Sequence, residues 1–353
     1  MTYAAGRTII RPGGETPSRH RAESPGREEE AVRPDVERWS RRRWSHAHDW
    51  PVPALVAAKG TTRVSVVLPA LDEESTVGDI VARIRRELVE VSHPLVDEIV
   101  VMDSGSRDAT ATVAARAGAR VVERADVLPE FPVLPGKGEV LWRSLAATDG
   151  DVVVFVDADL EDFSASVVTG LLGPVLTDRS ICLVKGAFDR PWRVGDDVRP
   201  TGGGRVTELV ARPLLNLCWP ELAGVAQPLV GEYAARRGLL EQLAFPTGYG
   251  VELAILVDTL ALAGLDAIAQ VDLGVRLHAH QDDAALGRMA AEIWQTALRR
   301  LGADAAIRGA ALTQFDRADG ELVPRTHDVS SVERPPLVQV PGYRRAYAPR
   351  AAS

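Results

Sequence analysis

The stretch DVVVFVDADL (151–160) is a run of five apolar residues closed by two aspartates. A run this short and unbroken, made mostly of β-branched side chains, is the pattern of a strand buried on both faces. The same pattern recurs outward in both directions. RVSVVLPA (63–70), VDEIVVMDSG (96–105) and RVVER (120–124) precede it, and ICLVKGAF (181–188) and AIAQVDLGVRLHAH (267–280) follow. Helical segments fall between them: Ser75 to Val91 with Ser75 as its expected N-cap, Asp108 to Ala117, and Lys137 to Thr148. Strands alternating with helices predict an α/β fold with a mostly parallel central sheet covered on both faces. Ligands of such sheets collect at the carboxyl ends of the strands.

Composition bounds the rest. With 353 residues, 46% of them hydrophobic, the chain can bury the core of one large domain. A formal charge of -8 argues against a general nucleic-acid binder, which needs a basic face for phosphates. No run approaches the ~18 apolar residues that span a bilayer; the most apolar helical stretch, LAILVDTLALAGL (253–265), is interrupted by Asp258. The Arg-rich N-terminus has no apolar region of the kind a secretory signal needs. Cys182 and Cys218, too isolated for a CxxC pair, suit a reducing cytoplasm as small core residues. Residues 1–60, rich in Arg, Glu, Pro, Gly and Ser, are expected to be a disordered tail, although Arg41-Arg42-Arg43 between Trp39 and Trp44 could serve as a docking element. Residues 317–353 read as a peripheral C-terminal tail, which leaves 61–316 as the folded domain.

The turn after the first strand, LPALDEEST (68–76), has no G-x-G-x-x-G, and TGGGRVTE (201–208) has Thr207 where a third glycine would stand. PGKGE (135–139) departs from a Walker A loop at both ends. What remains is Asp157-Ala158-Asp159 at a strand end. Strand alternation puts both carboxylates on one side, where they repel unless a hard divalent ion neutralises them; a solvated acidic strand end is the plain alternative. His278 ends another apolar strand, as a ligand for a manganese-like ion or as a hydrogen-bonded structural residue. In TGGGRVTELVARPLL (201–215), three glycines lead into a helix presenting Arg205 and Thr207 in its first turn. Open backbone N–H groups and an Arg fork there suit a phosphate or carboxylate, and a flexible hinge is the alternative. Arg190, just past a strand end, could add a second positive group. Glu252 in TGYGVELA (247–254) sits in a helix first turn, where acidic residues are ordinary dipole partners.

In order along the chain, SVVLPALDEEST, VMDSGSRDAT, PGKGEVLWRSL, VVVFVDADL, TGGGRVTELVARPLL, QPLVGEYAARR, GYGVELAILVDT and AIAQVDLGVRLH resemble the glucosyl-3-phosphoglycerate synthase family, retaining GT-A glycosyltransferases of actinobacteria. The resemblance runs from about Val64 to about Gln314. It implies a GT-A fold with a nucleotide-sugar half (61–162) and an acceptor half (163–316), and transfer of glucose from UDP-glucose to the C2 hydroxyl of 3-phosphoglycerate with Mg2+ or Mn2+. It implies a uridine pocket of Pro69, Ala70, Leu71, Glu73 and Ser104, and places Lys137 near the donor's phosphate or sugar. Asp157, Ala158 and Asp159 become the D-x-D motif, with Asp159 and His278 as metal ligands. Tyr249, Glu252 and Arg276 line the sugar and diphosphate, Glu252, Asp159 and Lys137 bear on catalysis, and Arg190, Gly204, Arg205, Val206 and Thr207 hold the acceptor. A cytoplasmic homodimer without an integral membrane segment is also implied. Two departures stand out: Ala158 replaces a common Ser, and Ala279-His280-Gln281 replaces a more basic stretch. The rival readings are a related transferase using GDP-mannose or a polyprenyl-phosphate acceptor, and a sugar-phosphate nucleotidyltransferase. The last usually has a Gly- and Arg-containing loop where Ala70-Leu71-Asp72-Glu73-Glu74 stands.

Overall fold

A computed structural model describes residues 33–189, 192–194, 197–199, 204–276, 282–318 and 320–343. Its centre is an eight-stranded sheet: β1 (Trp44–His46), β2 (Val64–Ala70), β3 (Glu98–Asp103), β4 (Arg120–Glu123), β5 (Val152–Phe155), β6 (Leu183–Asp189), β7 (Tyr233–Arg236) and β8 (Ile268–Val275). The spatial order is β1-β8-β6-β7-β5-β2-β3-β4. Every pairing is parallel except those of β7, which runs antiparallel between β5 and β6.

Alternation along the strands divides the core in two. Val64, Val66 and Leu68 of β2, with Val152 and Val154 of β5, pack on one face, together with the helices Val77–Ile84 and Ser166–Thr177. Val67, Val153 and Phe155 point the other way, against the helices Lys137–Ala146 and Val251–Ala263 and against Ile293 and Ala297 of the helix Asp283–Arg300. Both faces of the strands are therefore dry, which is why their sequences read as apolar runs.

The described parts of both expected tails are more structured than their composition suggests. Residues 34–59, expected to belong to a tail, form the helix Pro34–Arg42, then β1 and then the helix Val52–Lys59. Three buried apolar anchors hold them: Val36, Trp39 and Leu55. The Trp39 indole also donates to the Ile268 carbonyl at 2.9 Å, and β1 pairs with β8. At the other end, Ala311–Ala318 and Glu321–Asp328 form a hairpin, and Glu333–Arg334 pairs with Phe245–Pro246. Leu337, Val340 and Tyr343 are buried in the second core. A few well-spaced apolar residues suffice to tie down a polar segment. Cys182 and Cys218 are half-exposed rather than buried in the core.

The helix after β2 begins at Val77, not at Ser75. Thr76 precedes it and makes no side-chain cap; its hydroxyl donates instead to the Ala158 carbonyl at 2.6 Å. The start of that helix is thereby joined to the turn bearing the paired aspartates.

Candidate active site

A cleft of about 870 Å³ opens at the carboxyl ends of the strands. Pro69, Ala70, Leu71, Glu73, Ser104, Lys137, Asp157, Ala158, Asp159, Gly204, Arg205, Val206, Thr207, Tyr249, Glu252 and Arg276 all line it. Arg190 and His278 lie outside the described residues.

One wall is the turn after β2. Asp72 sits at φ +59°, a conformation that a non-glycine residue holds only when its surroundings impose it. The imposition comes from the loop after β3. The Asp72 N–H donates to Ser106 Oγ at 3.0 Å, and its carboxylate accepts from Arg107 N at 2.7 Å. Glu73 N donates to Thr110 Oγ1 at 2.7 Å, and Glu74 and Asp108 exchange bonds with the opposite loop. The two loops present Leu71, Glu73 and Ser104 from a cross-bonded frame.

The floor is a cluster of charges. β5 ends at Phe155, so Asp157 and Asp159 stand in the turn beyond it rather than on the strand, yet the alternation persists: Ala158 is buried while its neighbours face the cleft. Lys137, the first residue of its helix, donates to Asp157 Oδ1 at 2.7 Å and lies 3.2 Å from Glu252 Oε1. Arg276 donates to Asp159 Oδ1 at 2.8 Å and Glu232 Oε1 at 2.6 Å, and lies 3.7 Å from Asp157 Oδ2. Beneath them the buried Lys185 donates to the Val230 carbonyl at 2.6 Å.

Ionisation follows from this crowding. Burial lowers the affinity of Lys137 for its proton, but Asp157 and Glu252 more than offset that and raise it well above the ordinary lysine value. Burial pulls Lys185 down to about 8. Burial, and then repulsion from Asp159, Asp108 and Asp157, pushes Glu73 up to about 7. Asp159 is raised by burial and by Asp157, with Arg276 acting against them. Four carboxylates (Asp157, Asp159, Glu232, Glu252) act on three cations (Lys137, Lys185, Arg276), so full ionisation leaves 4 − 3 = 1 negative charge in excess, and Glu73 adds a further acid group beside Asp157 and Asp159. That excess, and the hard oxygen donors that create it, fit a divalent cation. Asp159 is the carboxylate best placed to hold one, since its side chain is 55% exposed while Glu252 is almost fully buried.

Another wall is the turn at Gly204, at φ +78°, with Arg205 and Val206 helical after it and a widened π turn over Thr207–Ala211. Arg205 is paired with Asp283, at the start of the helix Asp283–Arg300. The same helix reaches the turn bearing Tyr249, because Glu292 Oε2 accepts from Tyr249 N at 2.7 Å. Leu286 and Met289 line the cleft between those two contacts, and Ile293 just beyond the second.

Several lining residues had escaped the sequence reading. Glu292, Arg124, Thr247, Asp328 and Ser330 belong to the cleft, and Glu232 supports it from below. Gly231 also lines it: a Cβ there would collide with the Asp157 carboxylate and the Lys137 ammonium. Only the block QPLVGEYAARR hinted at Gly231 and Glu232. Glu292 and the C-terminal residues gave no local signal, since their role depends on partners far along the chain.

The model of glycosyl transferase family 2 matches residues 65–190. A glucosyl-3-phosphoglycerate synthase of Mycolicibacterium smegmatis is 50% identical over 300 residues, covering 84% of this chain and 97% of that protein. One from Petrotoga mobilis is 43% identical, covering 82% and 90%. The crystal structure of the Mycobacterium tuberculosis synthase with Mn2+, UDP-glucose and phosphoglyceric acid superposes with a TM-score of 0.73 at 49% identity, over 82% of this chain and 95% of that one. The structure of the same synthase with Mg2+ and UDP gives 0.74 at 48% identity, over 84% and 98%.

Proposed function

The chain belongs to the glucosyl-3-phosphoglycerate synthase family, and from that premise we propose that its cleft transfers glucose from UDP-glucose to the C2 hydroxyl of 3-phosphoglycerate with retention of configuration. One observation carries this reading: the acid-rich floor around Asp159 and the anion-suited turn at Gly204 and Arg205 line a single cleft. A donor and an acceptor bound there are within reach of each other.

The proposed roles are those the family resemblance implies, and the geometry of the described residues supports them. Leu71, Glu73 and Ser104, with Pro69 and Ala70, hold the uridine in the cross-bonded loops. Asp159, joined by His278, holds a divalent cation, Mg2+ or Mn2+, which supplies charge neutralisation to the departing diphosphate. Asp157 orients Lys137, whose raised proton affinity keeps it cationic beside the donor's phosphate or sugar. Arg276, gripped by Glu232 from behind, adds a second fixed positive group. Such pre-aimed charge is worth most where water is excluded. Glu252 and Tyr249 line the sugar. Glu252 supports the positive character developing at the anomeric carbon, with no covalent attack required of it. Gly204, Arg205, Val206 and Thr207, with Arg190, bind the phosphate and carboxylate of the acceptor, so that its hydroxyl approaches from the leaving-group face.

No helix among the described residues is long and apolar enough to cross a membrane, which favours a small water-borne acceptor over a polyprenyl phosphate. A cytoplasmic homodimer, with residues 61–162 as the donor half and 163–316 as the acceptor half, completes the reading. Isotope-labelled UDP-glucose, ADP-glucose, GDP-glucose and GDP-mannose offered with 3-phosphoglycerate test it. An α-glucosyl product formed most rapidly from UDP-glucose is the expected outcome; a mannosyl product, or a β-anomer, would sink it.

A further inference from the structure

We propose that Arg334 is a positioning residue for the transfer centre: from the C-terminal strand it locks together the turn presenting Lys137 and the turn presenting Tyr249 and Glu252. The inference rests on the functional reading above for the reaction it affects, but not for the contacts that carry it.

Arg334 is almost fully buried, and its guanidinium straddles the completely buried Glu139, Nε to Oε2 at 2.5 Å and Nη2 to Oε1 at 2.8 Å. The same carboxylate accepts from Arg143 Nε at 2.7 Å. One anion thus holds two cations in a dry site, and Arg334 also lies over Trp142, 5.3 Å from the ring centroid. The remaining donors organise the loop in front of the helix. Arg143 Nη2 donates to the carbonyls of Phe131 at 2.9 Å and Pro132 at 3.2 Å, and Arg334 also reaches Pro132. That loop ends in Pro135 and Gly136, which line the cleft, and Glu139 stands two residues after Lys137 in the same helical turn.

The second turn is fastened to the same place. Phe245 and Pro246 pair with Arg334 and Glu333, and Thr247 N donates to the Val332 carbonyl at 2.8 Å. Glu139 N in turn donates to the Thr247 carbonyl at 3.1 Å. Gly136 and Gly138 have no room for a side chain, since a Cβ on either would strike the backbone of Thr247 or Pro246. Three segments distant in sequence (132–139, 245–248 and 332–334) are therefore packed backbone to backbone, with Arg334 and Glu139 at their junction. Tyr249 and Glu252 follow directly on the second segment, and Glu252 Oε1 is 3.2 Å from Lys137. A lysine could supply the charge at 334 but not the two-pronged fork that sets the angle between the segments.

Sub-ångström placement of charged groups at a reacting centre is worth large rate factors, on the order of a hundredfold for 1 Å. The test is Arg334→Gln, with turnover normalised to the number of sites that bind UDP and Mn2+ by titration calorimetry. The expected result is unchanged stoichiometry, kcat lower by about tenfold or more, and KM for 3-phosphoglycerate within about twofold of wild type. Arg334→Lys is expected to fall between, and it takes over the test if the glutamine variant does not fold. A kcat per binding site within about twofold of wild type in the variant tested would overturn the proposal and leave Arg334 a stabilising contact only. Hydrogen exchange provides a readout that does not depend on the reaction. Faster exchange at amides 137–139 and 247–250, with none at 207–211, is expected, and unchanged exchange at the first two overturns the proposal whatever the acceptor. Failure of the functional reading shows separately, as wild-type enzyme that makes no glucosylated 3-phosphoglycerate.

Discussion

The two walls of the cleft are built differently. On the proposed donor side, side chains are set by partly or fully buried ion pairs and by loops that bond to each other: Lys137 on Asp157, Arg276 on Glu232, and Asp72 against the loop after β3. On the acceptor side, Arg205 projects from an irregular turn and pairs with Asp283, whose carboxylate is 90% exposed. The difference matches what each wall has to do. A leaving diphosphate needs charge fixed in advance of the reaction. A small dianionic acceptor can be gripped by groups that exchange one anion for another. Variants on the donor wall should therefore lower kcat, and variants on the acceptor wall should move KM.

The largest effect expected is on the donor side. Glu252→Gln keeps the size of a nearly fully buried side chain but removes its charge. Turnover should fall by about 10²–10³, while UDP affinity by calorimetry stays close to wild type; near-normal turnover would remove Glu252 from the mechanism. Next comes Arg205→Ala, which deletes a charge-assisted contact worth about 1.5–3 kcal/mol. KM for 3-phosphoglycerate should rise by about ten- to a hundredfold, with KM for UDP-glucose little changed. A fall in kcat alone would break the comparison between the walls.

Asp283→Asn should have a small effect of opposite sign. An exposed pair contributes about 0–1 kcal/mol, so releasing Arg205 from that carboxylate lowers KM for the acceptor by no more than about fivefold. A raised KM would mean that Asp283 orients Arg205 instead of competing for it. The smallest signal is a proton. Glu73, pushed up to about 7, is partly protonated at neutral pH, and its proton is favoured in the fold below that value. Positive charge arriving near Asp159 draws its affinity back down. Binding of Mn2+ alone should therefore release a fraction of a proton at pH 7, more at pH 6 and almost none at pH 8. Calorimetry in buffers of different ionisation enthalpy reads it; proton uptake would contradict the assignment.

The donor wall was also the more legible of the two in the sequence. β2, β3 and β5 are buried on both faces, so their apolar runs declare them, and residues at their carboxyl ends, such as Asp157 and Asp159, inherit a predictable location. The turn at Gly204 reads as a candidate anion site because glycines and an Arg at a helix start carry a local physical meaning. What stayed hidden depends on distant partners. Gly231 is required by two side chains that approach from elsewhere in the chain. Trp39 and Leu55 anchor a segment whose average composition is that of a tail. Arg334 lies in a polar, proline-rich stretch and finds Glu139 only after folding. Averages over a window dilute single anchors, and a salt bridge across 195 positions leaves no periodicity to read.

The acid-rich floor at Asp159 and the turn at Gly204 and Arg205 are proposed to act, through a divalent cation and an anion, on two ligands in the same cleft. UDP release from UDP-glucose, followed with and without 3-phosphoglycerate and then with a chelator added, tests this most directly. Release that needs the acceptor and stops on chelation is the predicted result. Release that is indifferent to 3-phosphoglycerate, or that survives chelation, would contradict it.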